Sequence, residues 1–348
     1  MINAFVPLCE LSEEQYTFLA ESSELLNLFA GQGLVKLGDT QACHLYLVHG
    51  TLILEDISGS QREISNSDAE AKLPISHMFP RRTTVIASSD AQILKVPSEL
   101  LEKILCWGQV ARCLLAEVAK NADYEEDYLW IKRLLQSRLF YKVPPTNILD
   151  ILNSFTVYEV KAGDKIIQEG DDGSCCYLVK AGEADVLIKS KGANPVATLA
   201  IGSVFGEDAL VNNKPRNACV VMRTDGVLMK LDKHAFYKLL KQPKVTTVTA
   251  TNVEGLVLNG VKLIDVRTQA EFVSGHHEQS INLPLHLSYL KSALLDSTSQ
   301  YITYSGSDER AKTAAFLLSR QGFDVSAMQG GIETLSLSLY QQFTGSRF

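Results

Sequence analysis

Two stretches set about 130 residues apart repeat each other, an offset that indicates domain duplication rather than a solenoid of short repeats. They read Leu45-Tyr46-Leu47-Val48-His49-Gly50 and Cys176-Tyr177-Leu178-Val179-Lys180-Ala181-Gly182, matched with one residue's difference. Around each copy, short apolar runs alternate with glycine turns. Leu34–Leu37, Gly38-Asp39 and Leu52-Ile53-Leu54 surround the first; Val157–Val160, Gly163-Asp164, Gly170-Asp171 and Ala184–Ile188 surround the second. Strands this short with turn residues between them predict two antiparallel β-rolls.

The second copy carries a dense cluster of chemistry. It reads Phe205-Gly206-Glu207-Asp208-Ala209-Leu210, then Val211 to Lys214, then Pro215-Arg216-Asn217-Ala218. Gly206 lets the backbone approach a ligand closely. A helix begun at Asp208–Ala209 would offer free backbone N–H groups to a phosphate. The planar fork of Arg216 suits the same phosphate, and Glu207 would accept from a sugar hydroxyl. A surface Glu–Arg pair on a turn is the plainer alternative.

This stretch resembles the phosphate-binding cassette of cyclic-nucleotide-binding domains, and both copies resemble the β-roll of that family. The resemblance implies a ligand site at Phe205, Gly206, Glu207, Asp208, Ala209, Leu210, Arg216, Asn217 and Ala218, with cAMP expected over cGMP. The first copy keeps a Pro80-Arg81 step, but nine residues before Arg81 stands Lys72, preceded by Ala71, where the family has Gly-Glu. It reads as a degenerate, structural or dimerising roll, with Glu70 reachable only by a two-residue slip.

Elsewhere the chain offers helices. Ser12 and Gln15 form a capping box, and the apolar positions Phe18, Leu19, Leu25 and Leu26 follow it. Ser98 is read as the cap of a helix carrying Leu100, Leu101, Ile104 and Leu105. Asp232 is read as the N-cap of a helix ended by Pro243, and residues 245–249 as a β-branched linker with no recognition helix after it.

From Val261 the period changes. Val261 to Arg267 reads as a buried parallel strand and Thr268–Glu271 as a capping box. Gly275-His276, Ile281-Asn282-Leu283-Pro284, the strand Tyr301–Tyr304, a helix from Ala311 to Arg320 and Gly330-Gly331-Ile332 follow. Strands alternating with helices predict an α/β domain. These motifs resemble a single rhodanese domain. In that family a six-residue loop opens with a cysteine and closes with an arginine. Here the loop is Ser305-Gly306-Ser307-Asp308-Glu309-Arg310, so Ser305 stands at the cysteine's place. A hydroxyl cannot carry a persulfide, and Asp308 and Glu309 oppose an anionic substrate. A serine nucleophile would need a general base, for which His276, His277 and His286 are the candidates; a satisfied histidine at the domain surface is the plainer account of each.

Composition bounds the rest. The 348 residues are 46% hydrophobic and 21% charged, with net charge −7 and no dense basic block, which argues against nucleic acid. No apolar run reaches the length of a membrane span, and no secretory signal is read at Met1-Ile2-Asn3-Ala4-Phe5. Seven cysteines, an odd number at irregular spacing, suit reduced thiols in the cytoplasm. A redox role for adjacent Cys175 and Cys176 is disfavoured, because strand neighbours face opposite ways.

The expected organisation is multidomain, α+β and α/β. A degenerate β-roll (jelly-roll) occupies 1–122, a cyclic-nucleotide-binding β-roll 123–245, and a three-layer rhodanese-like domain 246–348. The expected function is a cytoplasmic, non-catalytic signalling protein with a cyclic nucleotide as regulatory ligand, no cofactor and no metal. An unidentified protein partner is expected, with a homodimer left open and no nucleic-acid or membrane partner. The alternatives are a nucleotide-regulated enzyme of the rhodanese family and a scaffold that binds no nucleotide.

Overall fold

The computed structural model describes residues 4–76, 80–119, 124–136, 143–192, 194–208, 215–288, 291–335 and 340–342. Two compact units divide the chain: Met1–Gln109 with Val245–Phe348, and Val110–Lys244.

In the first unit, Ser12 and Gln15 cap helix α1 (Glu13–Ala20) reciprocally, as read from the sequence. Leu25 and Leu26 do not continue that helix. They lie in strand β1 (Glu24–Leu28), which pairs antiparallel with β7 (Ala91–Pro97). Cross-strand pairing has overridden a weak helical period here. β7 also pairs with β3 (Cys43–His49), giving one sheet in the order β1–β7–β3. The facing sheet runs β2 (Gly33–Val35), β6 (Thr83–Ala87), β4 (Thr51–Asp56) and β5 (Gln61–Ser65). Between them lies a core of Leu45, Leu47, Leu52, Leu54, Val85 and Ile93, among others.

Helix α2 (Ser98–Val118) follows. Ser98 is its first residue, and its hydroxyl bonds the His44 ring at 2.7 Å instead of capping. Leu101, Ile104 and Leu105 of α2 pack with Leu8, Leu19 and Tyr46.

The second unit repeats the roll strand for strand. β8 (Thr156–Val160), β15 (Gly226–Asp232) and β10 (Cys175–Ala181) form one sheet, which β13 (Val204–Phe205) extends. The other runs β9 (Lys165–Ile167), β14 (Cys219–Met222), β11 (Ala184–Leu187) and β12 (Ala197–Leu199).

The repeat's register differs from the one read by residue identity. β3 shifts register between Leu47 and His49, and β10 shifts between Val179 and Ala181. After each bulge comes a glycine at positive φ, Gly50 at 97° and Gly182 at 90°, whose Cβ would collide with the facing turn. Leu45 is therefore the counterpart of Tyr177, and no residue is inserted. Matching Tyr46 to Tyr177 slips the strand by one and reverses its faces. Tyr46 indeed packs with the helices, whereas Tyr177 lies inside its roll.

The remaining part of the first unit is an α/β fold. Its parallel sheet runs β16 (Thr247–Thr249), β21 (Asp324–Gln329), β20 (Gln300–Tyr304), β17 (Lys262–Asp265) and β19 (Ser280–Asn282). The stretch read as a linker is thus an edge strand, for which its β-branched residues are suited. Val253 of the helix Ala250–Leu258 packs with Leu263, Ile302 and Met328, and the helix Asp308–Ser319 buries Ala311, Ala314, Ala315 and Leu318. Two short strands, β18 (Gly275–His277) and β22 (Tyr340–Gln342), pair antiparallel beside the main sheet. Among the described residues no helix is long and apolar enough to cross a membrane.

Candidate functional site

A cavity of about 210 Å³ opens in the second roll, and its lining includes Phe205, Gly206, Glu207, Asp208, Arg216, Asn217 and Ala218, over an apolar floor of Ile167, Val186 and Val220. Seven of the nine residues expected at a ligand site therefore converge on one space. The other two, Ala209 and Leu210, lie outside the described residues. The helix after Gly206 already includes Glu207 and Asp208, so it starts one residue earlier than read.

Backbone geometry accounts for Gly206. Its φ is +78°, and a Cβ there would sit 2.6 Å from Arg216 Nη1 and 2.8 Å from Ile167 Cδ1. The space a side chain would need is taken by the guanidinium. Arg216 Nη1 donates to the Gly206 carbonyl at 2.5 Å and Nη2 to the Cys175 carbonyl at 2.6 Å. The Asn217 amide donates to the Asp208 carboxylate at 3.3 Å, tying the two halves of the cassette together. Phe205 stacks on Tyr177 with ring centroids 5.4 Å apart.

Burial pushes the Glu207 carboxyl above its ordinary range. A bond to its own backbone opposes the rise, Asp208 adds to it, and Arg216 pulls the other way. Burial also pushes the Cys176 thiol up to about 12, which makes it a poor thiolate.

The first roll preserves half of this arrangement. Arg81 repeats the backbone bonds of Arg216: its carbonyl accepts from Gly38 as Arg216's accepts from Gly170, and its N–H donates to Asp39 as Arg216's does to Asp171. Its Nη2 donates to the Cys43 carbonyl, the counterpart of Cys175. Its Nη1 donates to the carbonyl of Ser76, as Arg216 Nη1 does to Gly206. Ser76, at φ 47°, is the one non-glycine in the left-handed region among the described residues.

Ser76 is therefore the counterpart of Gly206, and the register that pointed to Ala71 and Lys72 was wrong. Five positions separate Ser76 from Arg81, against ten between Gly206 and Arg216. The first roll is therefore five residues shorter between these two positions. Glu70, the residue reachable by a slip, is paired with Arg62 at 2.5 Å.

In the α/β part, Ser305 is fully buried. Its hydroxyl donates to the Ser307 carbonyl at 2.7 Å and accepts from the Ser307 N–H at 3.0 Å. The His276 ring bonds the Phe272 carbonyl and stacks on Phe272, and His277 Nδ1 accepts from the Gln279 N–H. Both Nδ1 atoms thus have partners other than Ser305, while His277 Nε2 is buried without a hydrogen-bond partner; His286 lies on the short helix Leu285–Ser288. Arg310, buried completely, reaches Glu271 through Nη1 at 3.0 Å and Nη2 at 2.8 Å. Glu271 also completes the capping box with Thr268. Burial alone would raise Glu271, but Arg310 first, then Arg267 and the Thr268 N–H, hold it down at about 2. Sequence reading missed this second duty of Glu271, although its capping spacing marked it as fixed in place.

A family model for the cyclic nucleotide-binding domain matches residues 157–243, and one for the rhodanese-like domain matches residues 249–337. The chain carries a cyclic nucleotide-binding domain and a rhodanese-like domain. It is 29% identical over 235 residues to a cAMP-dependent protein kinase regulatory subunit of Eremothecium gossypii, covering 66% of this chain and 47% of that protein. A regulatory subunit of the same name from Yarrowia lipolytica is 28% identical over 66% of this chain and 57% of its own length. A cGMP-dependent protein kinase of Plasmodium berghei is 31% identical over 42% of this chain and 16% of its own length. The chain spans about half the length of the regulatory subunits it matches.

Proposed function

We propose that this chain is a regulatory protein whose second roll, within residues 123–245, binds a cyclic nucleotide. The observation that carries this reading is the convergence of Gly206, Glu207 and Arg216 on one cavity. Arg216 is held by two carbonyls. A cyclic phosphate entering beside Gly206 draws its Nη1 off the Gly206 carbonyl into a charge-assisted pair, which is stronger than a bond to a neutral acceptor. Glu207, ionised, accepts from the ribose hydroxyl, and the apolar floor takes the sugar's carbon face. The cavity falls below the 300–1,000 Å³ usual for a whole ligand, so it houses the sugar-phosphate with the base towards its mouth.

Of the two nucleotides named among the relatives, cAMP is proposed. Asn217, committed to Asp208, is not poised to read a guanine edge. The first roll, within 1–122, is proposed to bind no nucleotide, and the domain from 246 onward to act in docking without sulfur transfer, because Ser305 is buried and bonded within its own loop. A protein partner, as the name regulatory subunit suggests, and a cytoplasmic setting complete the reading.

Calorimetric titration of cAMP and cGMP into the full chain tests it. Saturable binding of one nucleotide per chain, with cAMP the tighter, is expected. Absence of binding by either removes the sensor reading.

A further inference from the structure

We infer that the six-residue loop 305–310 is a carboxylate receptor, and that its resident ligand is Glu102 of α2, a side chain of the same chain. The two lie within the same compact unit. Glu102 Oε2 accepts from the Ser307 hydroxyl at 2.8 Å and stands 2.7 Å from Arg310 Nε. Its other oxygen accepts from Arg310 Nη2 at 2.9 Å and lies over Gly306, where a Cβ would come within 3.6 Å of it. One carboxylate thus touches the loop at its third and sixth residues. Arg310 Nη2 donates to one oxygen and the Ser307 hydroxyl to the other, with the guanidinium charge close to both, which makes these charge-assisted bonds.

The seat is buried and exclusive. Glu102 and Arg310 are both almost wholly removed from solvent. Arg310 is also shared with Glu271, so two carboxylates flank one cation. The adjoining cavity of about 520 Å³ is lined by Glu99, Asp308 and Glu309 besides these two. Its arginine, Arg267, is already taken by Asp265 at 2.7 Å. With Glu102 seated, a free anion would enter against that charge; with Glu102 removed, the Ser307 hydroxyl and Arg310 are left as donors that a planar carboxylate can bridge and a monatomic anion cannot. A carboxylate delivered on a helix does not diffuse in, because α2 positions it by packing Leu101 and Leu105 beside it. The loop therefore works as a lock that joins α2 to the α/β fold.

The test is chemical rescue in the full chain. Glu102→Ala empties the seat and is expected to lower the Tm by at least about 4 °C. Sodium acetate, a free carboxylate, should restore half or more of that loss, while sodium chloride at equal ionic strength restores none and acetate leaves wild type unmoved. A Tm unchanged by the substitution overturns the inference, and so does rescue by chloride equal to that by acetate. If Glu102→Ala does not fold, Glu102→Asp carries the test, since it keeps the charge and withdraws it by one methylene. A double-mutant cycle of Glu102→Asp with Ser307→Ala should then be non-additive, and additive losses overturn the proposal.

Discussion

Arg216 and Arg81 make nearly the same bonds, and among the described residues it is Arg216 that lines a cavity beside a glycine and a carboxylate. Their replacement should separate two duties of one residue type. Arg216→Ala should weaken cyclic-nucleotide binding about a hundredfold, the loss of one charge-assisted phosphate contact, as read by calorimetry. Arg81→Ala should leave that affinity unchanged and lower unfolding stability by about 2–4 kcal/mol in denaturant titration, because the carbonyls of Ile75, Ser76 and Cys43 lose their donor. Glu207 adds a pH dependence of known sign. Its carboxyl is raised in the free protein, and the hydroxyl contact needs the ionised form. Affinity should therefore rise with pH from the ordinary carboxylate range up through the raised value, and Glu207→Gln should flatten that slope. At this scale the second cassette was legible because glycine, acid and arginine each leave a letter in the sequence. The first was not, because Ser76 holds a left-handed conformation without glycine to announce it.

At the scale of elements, capping boxes survived and strand registers did not. Ser12-x-x-Gln15 and Thr268-x-x-Glu271 are local, so four letters suffice to fix them. The offset of the two rolls depends instead on bulges in β3 and β10, which identity between Tyr46 and Tyr177 conceals. Likewise β1 and β16 form because partners far along the chain complete their ladders. The Thr268–Glu271 turn carries a consequence beyond its own helix. Glu271, held at about 2 by Arg310, stabilises the folded state above the ordinary carboxylate range, near 4.5, and loses that contribution as pH falls towards 2. Glu271→Gln should remove that acid-side slope and cost about 3–5 kcal/mol at neutral pH, the penalty for breaking a buried pair. Urea titrations at several pH values check both.

At the scale of the whole molecule, each compact unit holds one of the two tryptophans. Trp107 is fully buried in the first, whereas Trp130 in the second donates to Asp127 at 2.7 Å beside Lys180. The binary pattern predicted separate rolls, but it could not show that the first roll and the α/β fold belong to one unit. That grouping depends on contacts such as Arg310 with Glu102, whose partners stand 208 positions apart. Single-tryptophan variants turn the division into a measurement. With Trp107→Phe, fluorescence reports the unit holding the proposed nucleotide site. Nucleotide at a hundred times its Kd supplies about 2.7 kcal/mol to whichever unit binds it, equivalent to about 10 °C in Tm for a domain of this size. The Trp130 transition should rise by that amount while the Trp107 transition, followed in Trp130→Phe, moves by much less. Equal shifts would mean that the two units melt as one cooperative block, and a shift confined to Trp107 would place the ligand in the first roll.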